Sequence, residues 1–314
     1  MEHEPVLADA VAELLIPALA AGGVLVDATL GRAGHARRVL EAAERAELIG
    51  IDRDPDALEA SRAVLASYGG RVRVVRGNFE DLEAILERLG AAPVRGVLLD
   101  LGVSSPQLDD ATRGFGFRTR GPLDMRMDPS QELTAHDVVN RYRQGDLERI
   151  IARFGEERFA RRIARAVVDA RPVATTDRLA GIVRDAIPAA TRRTGGHPAR
   201  RTFQALRIEV NGELDALETG LAAATGALAP GGRAVVISYH SLEDRIVKSH
   251  LAAGARGCVC PPDFPICTCG AEARLRLLTR RALRPEASEV ERNPRARSAR
   301  LRAAERLHGA VKPS

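Results

Sequence analysis

The stretch Val24-Leu-Val-Asp-Ala-Thr-Leu-Gly-Arg-Ala-Gly-His35, read with Leu48-Ile-Gly-Ile-Asp52, decides the fold. Three apolar residues run into Asp27, a loop with glycines at 31 and 34 follows, and Val39 and Leu40 among alanines point to a helix. Strand, glycine turn and helix make the first half of a nucleotide-binding βαβ unit. The second apolar run ends in Asp52, after which Asp54-Pro55 caps and starts a helix expected to reach Leu65. Asp52 stands about twenty residues beyond the glycine loop, the separation at which a strand-end carboxylate reaches a ribose hydroxyl pair.

The same grammar extends outward in both directions. A helix over Val6–Leu19 precedes the stretch, and Gly22-Gly23 ends it. Downstream, Val72–Val75 leads to Gly77-Asn78-Phe79, a helix over Leu82–Leu89, and a strand through Val97-Leu98-Leu99 that ends in Asp100. Gly102, Ser104, Ser105 and Pro106 then form a tight polar loop. These alternations define an α/β sheet, whose ligands gather at the carboxyl ends of the strands. A dinucleotide loop needs three glycines against a pyrophosphate, and here Gly31 and Gly34 stand beside Leu30 and Arg32. A cofactor with a ribose and no pyrophosphate, such as S-adenosylmethionine, fits better. Phe79 is then either an apolar wall for the base, with Asn78 offering its amide, or a core residue.

Charge is distributed unevenly. Residues 1–110 carry 11 arginines against 19 acids, residues 111–200 carry 18 against 11, and residues 201–314 carry 18 lysines and arginines against 12 acids. The basic remainder suits a polyanion such as nucleic acid. There is no apolar run of membrane-spanning length, and the acidic start Met1-Glu2-His3-Glu4 is unlike a signal peptide, so a cytoplasmic protein with no membrane partner is expected.

After Gln107 the pattern changes. Glycine- and arginine-rich segments with Phe115 and Phe117 are followed by helical patterns near Ala135–Tyr142, Leu147–Val168 and Thr176–Ile187. We read these as an inserted all-helical domain, residues 111–203, interrupting a main domain of residues 1–110 and 204–314. A long helix is expected from Phe203 through Leu206, Val210, Leu214, Leu217 and Leu221 to Leu228, stopped by Pro230-Gly231-Gly232. The strand Arg233–Ser238 then delivers Tyr239-His-Ser-Leu-Glu-Asp-Arg245, whose His240, Glu243 and Asp244 are either substrate contacts or helix caps. Leu275–Leu278 and Leu301 supply final strands, and Arg292, Arg295, Arg297, Arg300 and Arg302 form a basic patch for RNA phosphates or the sheet edge.

Five segments carry a resemblance: Asp100-Leu-Gly-Val-Ser-Ser-Pro-Gln-Leu-Asp-Asp110, Gly121-Pro-Leu-Asp-Met-Arg-Met-Asp128, Arg200-Arg-Thr-Phe-Gln-Ala-Leu-Arg-Ile-Glu-Val-Asn211, Tyr239–Arg245 and Asn293-Pro-Arg-Ala-Arg-Ser298. The chain resembles, over nearly its whole length, the bacterial 16S ribosomal RNA cytosine-N4 methyltransferases of the RsmH/MraW type. The resemblance implies a class I, Rossmann-like S-adenosylmethionine-dependent methyltransferase sheet with an inserted helical substrate-recognition domain. It implies methylation of the exocyclic N4 amine of a cytidine in the decoding region of 16S rRNA, within the small (30S) ribosomal subunit, and leaves a homodimer open. Its cofactor positions fall on Ala33, Gly34, His35, Asp52, Phe79, Asp100 and Gln107. The family commonly has glycine where this chain has Ala33, an exchange expected to be tolerated only if Ala33 keeps φ below zero.

A cytosine amine is a poor nucleophile, and methyl transfer is an in-line displacement that rewards positioning. Acceptors against the amine N–H groups would localise its lone pair and take up developing positive charge. Ser104-Ser105-Pro106-Gln107 is similar to the loop amino-methyltransferases use, without its second proline and aromatic. We therefore assign Ser104, Ser105, Pro106 and Asp109 to the amine, with Phe115, Phe117 or Tyr239 as the aromatic that stacks on the base. Cys258, Cys260, Cys267 and Cys269 bring four thiolates together as zinc sites do, but with C-x-C spacing, and no metal is assigned. The competing reading is a non-catalytic RNA-binding assembly factor with a vestigial nucleoside pocket.

Overall fold

The computed structural model describes residues 5–192, 196–257 and 272–311; the four cysteines lie outside the described residues. The chain forms two compact units, Met1–Gly102 with Asp215–Ser314, and Val103–Leu214. In the first unit α1 (Ala8–Leu19) precedes β1 (Gly23–Asp27), α2 (Gly34–Ala42), β2 (Ala46–Asp52), α3 (Pro55–Leu65), β3 (Val72–Arg76), α4 (Leu82–Leu89) and β4 (Val94–Asp100). The second unit holds α5 (Ser105–Asp109), α6 (Ala135–Arg141), α7 (Gln144–Gly155), α8 (Ala160–Asp169), α9 (Thr176–Ala186), α10 (Ala189–Arg192) and α11 (Arg200–Asn211). The chain returns through α12 (Glu213–Gly226), β5 (Leu228–Ser238), α13 (Ser241–Gly254), β6 (Ala273–Leu277), α14 (Ala287–Arg292) and β7 (Arg300–Val311).

Seven strands form one sheet in the order β3-β2-β1-β4-β5-β7-β6. β1 to β5 are mutually parallel, and β7 runs antiparallel between β5 and β6. The central strands are apolar because helices cover both faces: Leu25, Ile49, Val97 and Val235 are fully buried. Burial of one such side chain contributes about 1.5–3 kcal/mol. Strand order reverses between β1 and β4, so the crevice at the carboxyl edge opens there. Asp27 and Asp100 end the two strands flanking that reversal, and Asp52 ends the next strand out.

Local chemistry explains several boundaries. Asp54 caps α3 by accepting from the Asp56 N–H, with Pro55 at the first helical position, and α3 ends at Leu65. In the second unit α8 buries Ile163, Ala164 and Val167 and exposes Arg161, Arg162 and Arg165, a stripe of helical period. Asn211 ties that unit's loop to α11: its Oδ1 accepts from the Met127 N–H at 2.8 Å and its Nδ2 donates to the Met125 carbonyl at 2.8 Å.

Two sequence expectations are corrected. Helix is broken between Leu147 and Val168 at Glu156, a non-glycine residue at φ 48°, giving α7 and α8. The long helix from Phe203 to Leu228 is two helices, because Gly212 ends α11 in the left-handed region at φ 59° and α12 stops at Gly226. Leu228 already belongs to β5, paired with Val94. Pro230-Gly231-Gly232 is thus a strand irregularity, where the register shifts between Val94 and Gly96. A Cβ on Gly232 would lie 2.8 Å from the Ala229 carbonyl oxygen. The units also divide outside the limits of 111 and 203 drawn from composition, because Val103, Leu108, Phe203, Leu206 and Val210 all pack into the helical core.

One loop glycine of the second unit permits a sharp stability prediction. A Cβ at Gly121 would lie 1.9 Å from the Ala111 carbonyl oxygen. Gly121→Ala should therefore lower unfolding free energy by about 1–3 kcal/mol, the range for overpacking, measured by chemical denaturation of the full chain.

Candidate active site

Three parallel strands end in a carboxylate, and each is held differently. Asp52 Oδ2 accepts from the Gly31 N–H at 2.8 Å and Oδ1 from the Asp54 N–H at 2.9 Å. The loop after β1 is thereby fastened to the end of β2, with Gly31 at φ 52°. Burial raises the Asp52 pKa and the two N–H donors oppose it. Each carboxylate oxygen keeps a second lone pair for an outside donor.

Asp100 is the most connected of the three. Its backbone N–H donates to Thr29 Oγ1 at 2.6 Å, and the Tyr239 hydroxyl donates to its Oδ1 at 2.9 Å. His35 Nε2 stands 3.4 Å from its Oδ2, within ion-pair range but out of line for a hydrogen bond. Burial would lower the His35 pKa, but Asp100 and Asp27 more than offset it and the net shift is upward, favouring imidazolium. Tyr239 is held well above the ordinary phenol value by burial and by the Asp100 charge, so it remains a donor. Asp27 is buried and accepts from the Thr29 N–H at 3.2 Å; burial pushes its pKa up to about 7, against the pull of His35.

Asp27 and the Thr29 hydroxyl were missed as site residues in the sequence. The signal was present in the first case: Asp27 ends its strand as Asp52 and Asp100 end theirs. Thr29 carried no such signal, because its role depends on the neighbouring strand.

The glycine loop departs from expectation at Ala33, which adopts φ 60°, ψ 23° as N-cap of α2, correcting the expectation of a negative φ. An alanine there costs about 1–2 kcal/mol relative to the right-handed region. Its fully buried methyl recovers roughly 0.8 kcal/mol, and glycine would add unfolded-state entropy of about 0.4–1 kcal/mol. The opposing effects nearly cancel, which is why alanine is tolerated. Gly34 is glycine for another reason: a Cβ there would lie 2.7 Å from Pro5 Cγ.

Phe79 is only 9% exposed and packs in the core of the first unit, where a Cβ on Gly220 would lie 2.6 Å from its ring. Beside it, Asn78 Nδ2 donates to Glu80 Oε1 at 2.5 Å, and its buried Oδ1 has no hydrogen-bond partner among the described residues. Both nitrogens of His35 share that condition. Asn78 and His35 follow β3 and β1, so these unmatched buried atoms lie along the carboxyl edge, where a polar ligand would satisfy them.

In the second unit, Ser104 and Gln107 form a reciprocal capping box on α5. The Gln107 side-chain oxygen accepts from the Ser104 N–H at 3.0 Å, and Ser104 Oγ accepts from the Gln107 N–H at 3.4 Å. Ser105 and Pro106 are thereby fixed at the helix start, and Asp109 lies exposed at its end. Phe115 is buried in the helical core, correcting its candidacy as a base-stacking residue. Phe117 stacks on His197 at 4.5 Å between centroids and meets Phe203 edge-on at 5.7 Å. His240 and Glu243 form the capping box of α13. Arg300 and Arg302 both bind Asp244, so these two arginines of the basic patch serve the fold.

A parallel sheet with an antiparallel β7 inserted beside β5, strand-end carboxylates at the order reversal and a glycine loop fastened to Asp52 define a class I S-adenosylmethionine-dependent methyltransferase. The MraW methylase family matches residues 1–307, and the chain belongs to it. The chain is 52% identical over 310 residues to the ribosomal RNA small subunit methyltransferase H of Heliobacterium modesticaldum, covering 97% of this chain and 98% of that protein. It is 56% identical over 311 residues to the protein of the same name from Frankia alni, covering 97% and 95%. Among solved structures, an rRNA methylase from Streptococcus thermophilus matches with a TM-score of 0.41 at 12% identity, covering 98% of this chain and 99% of that one.

Two predictions follow from this geometry. Ala33→Gly should change unfolding free energy by less than about 1 kcal/mol, whereas Ala33→Val, β-branched at positive φ, should cost more than about 2 kcal/mol by the same denaturation measurement. Asp27 binds its proton more tightly folded than unfolded, so its contribution to stability is full near pH 4 and declines as pH rises towards about 7. Asp27→Asn keeps an acceptor for Thr29, and should flatten the stability profile over that window and raise stability above it.

Proposed function

We propose that this chain transfers a methyl group from S-adenosylmethionine to the exocyclic N4 amine of a cytidine in the decoding region of 16S rRNA, within the small ribosomal subunit. The observation that carries this reading is its near full-length identity of 52–56% to proteins named ribosomal RNA small subunit methyltransferase H. The cytidine amine comes from the family resemblance carried together by the Asp100–Asp110, Gly121–Asp128, Arg200–Asn211, Tyr239–Arg245 and Asn293–Ser298 segments.

S-adenosylmethionine supplies an electrophilic methyl on a sulfonium centre. On this reading Asp52 accepts the ribose hydroxyls with its remaining lone pairs, its carboxylate already oriented by the Gly31 and Asp54 amides. Ala33, Gly34, His35, Asp100 and Gln107 hold the remainder of the cofactor, and Phe79 is the apolar neighbour of the base. The unmatched atoms of His35 and Asn78 fit this assignment, since a buried group without a partner costs roughly 1–3 kcal/mol.

The residues Ser104, Ser105, Pro106 and Asp109 address the amine. Hydroxyl and carbonyl acceptors there draw the N–H groups, so that the nitrogen lone pair is freed from the ring and directed at the methyl carbon. As the N–C bond forms and the C–S bond breaks, the amine becomes positively charged and then loses a proton, for which the exposed Asp109 carboxylate is an acceptor. The helical second unit, residues 103–214, is the substrate-recognition domain of this scheme.

The decisive experiment incubates the protein with labelled S-adenosylmethionine and small subunits lacking the modification, then digests the RNA and identifies the nucleoside by mass spectrometry. N4-methylcytidine is expected; methyl on another atom overturns the amine assignment, and no transfer favours the binding-factor reading. Asp52→Asn should weaken cofactor binding about tenfold or more by calorimetry, equivalent to roughly 1.4 kcal/mol. Ser105→Ala and Asp109→Ala should each slow single-turnover methyl transfer while leaving cofactor affinity intact; unchanged rates for both remove the loop from the chemistry.

A further inference from the structure

Beside the strand-end carboxylates, the first unit contains a strongly basic recess of about 380 Å³. Its floor is the Asp244 clamp: Arg300 Nη1 donates to Oδ2 at 2.7 Å and Arg302 Nε to Oδ1 at 2.7 Å. Asp244 is buried, and the two guanidiniums hold its carboxyl below the usual range despite that burial. Its charge is therefore already answered by two cations. Around this floor stand Lys248 of α13 and Arg280, Arg281 and Arg284 of the turn after β6. All four are exposed, and among the described residues no carboxylate pairs with any of them. Crowding like charges around one concavity is unfavourable until an anion enters it.

The location identifies the kind of anion. Asp100 pairs in register with Ile237, and Ile237 with Leu301, the residue between the two clamp arginines. The recess thus begins two strands from Asp100, about 10 Å at an interstrand spacing of roughly 4.8 Å. Arg300 pairs with Ser238, the residue before Tyr239, whose hydroxyl binds Asp100. A polynucleotide with one nucleotide at the carboxyl edge carries its neighbouring phosphates over this distance, since the chain extends several ångströms per nucleotide. Planar guanidiniums match phosphate oxygens in paired hydrogen bonds, and the set here is arginine but for Lys248.

We propose that this recess, between β7, α13 and the 280–284 turn, is a binding site for the phosphodiester backbone of the substrate RNA adjoining the target nucleotide. The site rests on the reading that the substrate is RNA and adds to it a place of contact in the first unit, outside the helical domain. Lys248, Arg280, Arg281 and Arg284 are its ligands, and Arg300 and Arg302 hold its floor in shape.

The test uses the full chain with Arg280→Glu and Arg281→Glu combined, leaving the Asp244 clamp untouched. Affinity for a small-subunit rRNA transcript, measured by filter binding over a salt series, should fall about tenfold or more, and the slope of log affinity against log salt should become shallower by about two. S-adenosylmethionine affinity should stay unchanged, which reports an intact fold. Arg280→Lys with Arg281→Lys should restore the salt slope, because charge is retained. Unchanged RNA affinity and slope in the glutamate variant overturn the proposal. So does binding of inorganic phosphate that is lost in the variant while RNA affinity is preserved, which marks a small-anion site only. If the wild-type protein fails to methylate cytidine N4 yet its RNA affinity still depends on this pair, the functional reading falls and the site stands.

Discussion

Asp100 is the point on which the carboxyl edge of the sheet depends. Its amide meets Thr29 from the loop after β1, one carboxylate oxygen receives the Tyr239 hydroxyl from the connection after β5, and the other faces His35 at the start of α2. Two connections far apart in sequence, the one after β1 and the one after β5, are tied through one residue, at the place where strand order reverses. An acid so placed also sets the electrostatics around it. It raises the His35 pKa against the effect of burial, adds to the burial that raises Asp27, and holds the Tyr239 proton in place. The edge is a coupled set of groups, which a charged ligand would perturb as a whole.

The parallel half of this sheet was legible because each element announces itself locally. Apolar runs end in Asp27, Asp52 and Asp100, and Asp54-Pro55 is a helix start in any context. The family was legible for a different reason, in that five long segments recur in order. What could not be read depends on contacts distant in the chain. The Tyr239 hydroxyl reaches Asp100 across 139 residues, and nothing near Tyr239 indicates which acid it will meet. Phe79 is bound into the core by Gly220, a glycine that looks incidental in a helix.

The helix errors have a similar origin. Leucine spacing from Phe203 to Leu228 continues through Gly212 because both α11 and the helix after it have apolar faces, and the break lies in one backbone angle. Glu156 takes a left-handed conformation without glycine's permissiveness, so the division of α7 from α8 left no mark in composition. Ala33 shows the reverse. A substitution that looked restrictive in sequence is accommodated, since steric cost and methyl burial nearly compensate each other.

The position of β7 has a consequence for how the protein is made. Residues 300–311 form an interior strand of the sheet, flanked by β5 and β6, although they follow both of these strands in the chain. During vectorial synthesis β5 therefore emerges with its outer edge open, and β6 has no partner at all until the residues after Arg300 leave the ribosome. Until then both edges could pair with other chains. The exposed Arg274 and Arg276 of β6 place positive charge on that waiting strand, a feature that discourages such pairing. Closure of the sheet by β7 also brings Arg300 and Arg302 onto Asp244, so this strand completes the wall beside the carboxyl edge.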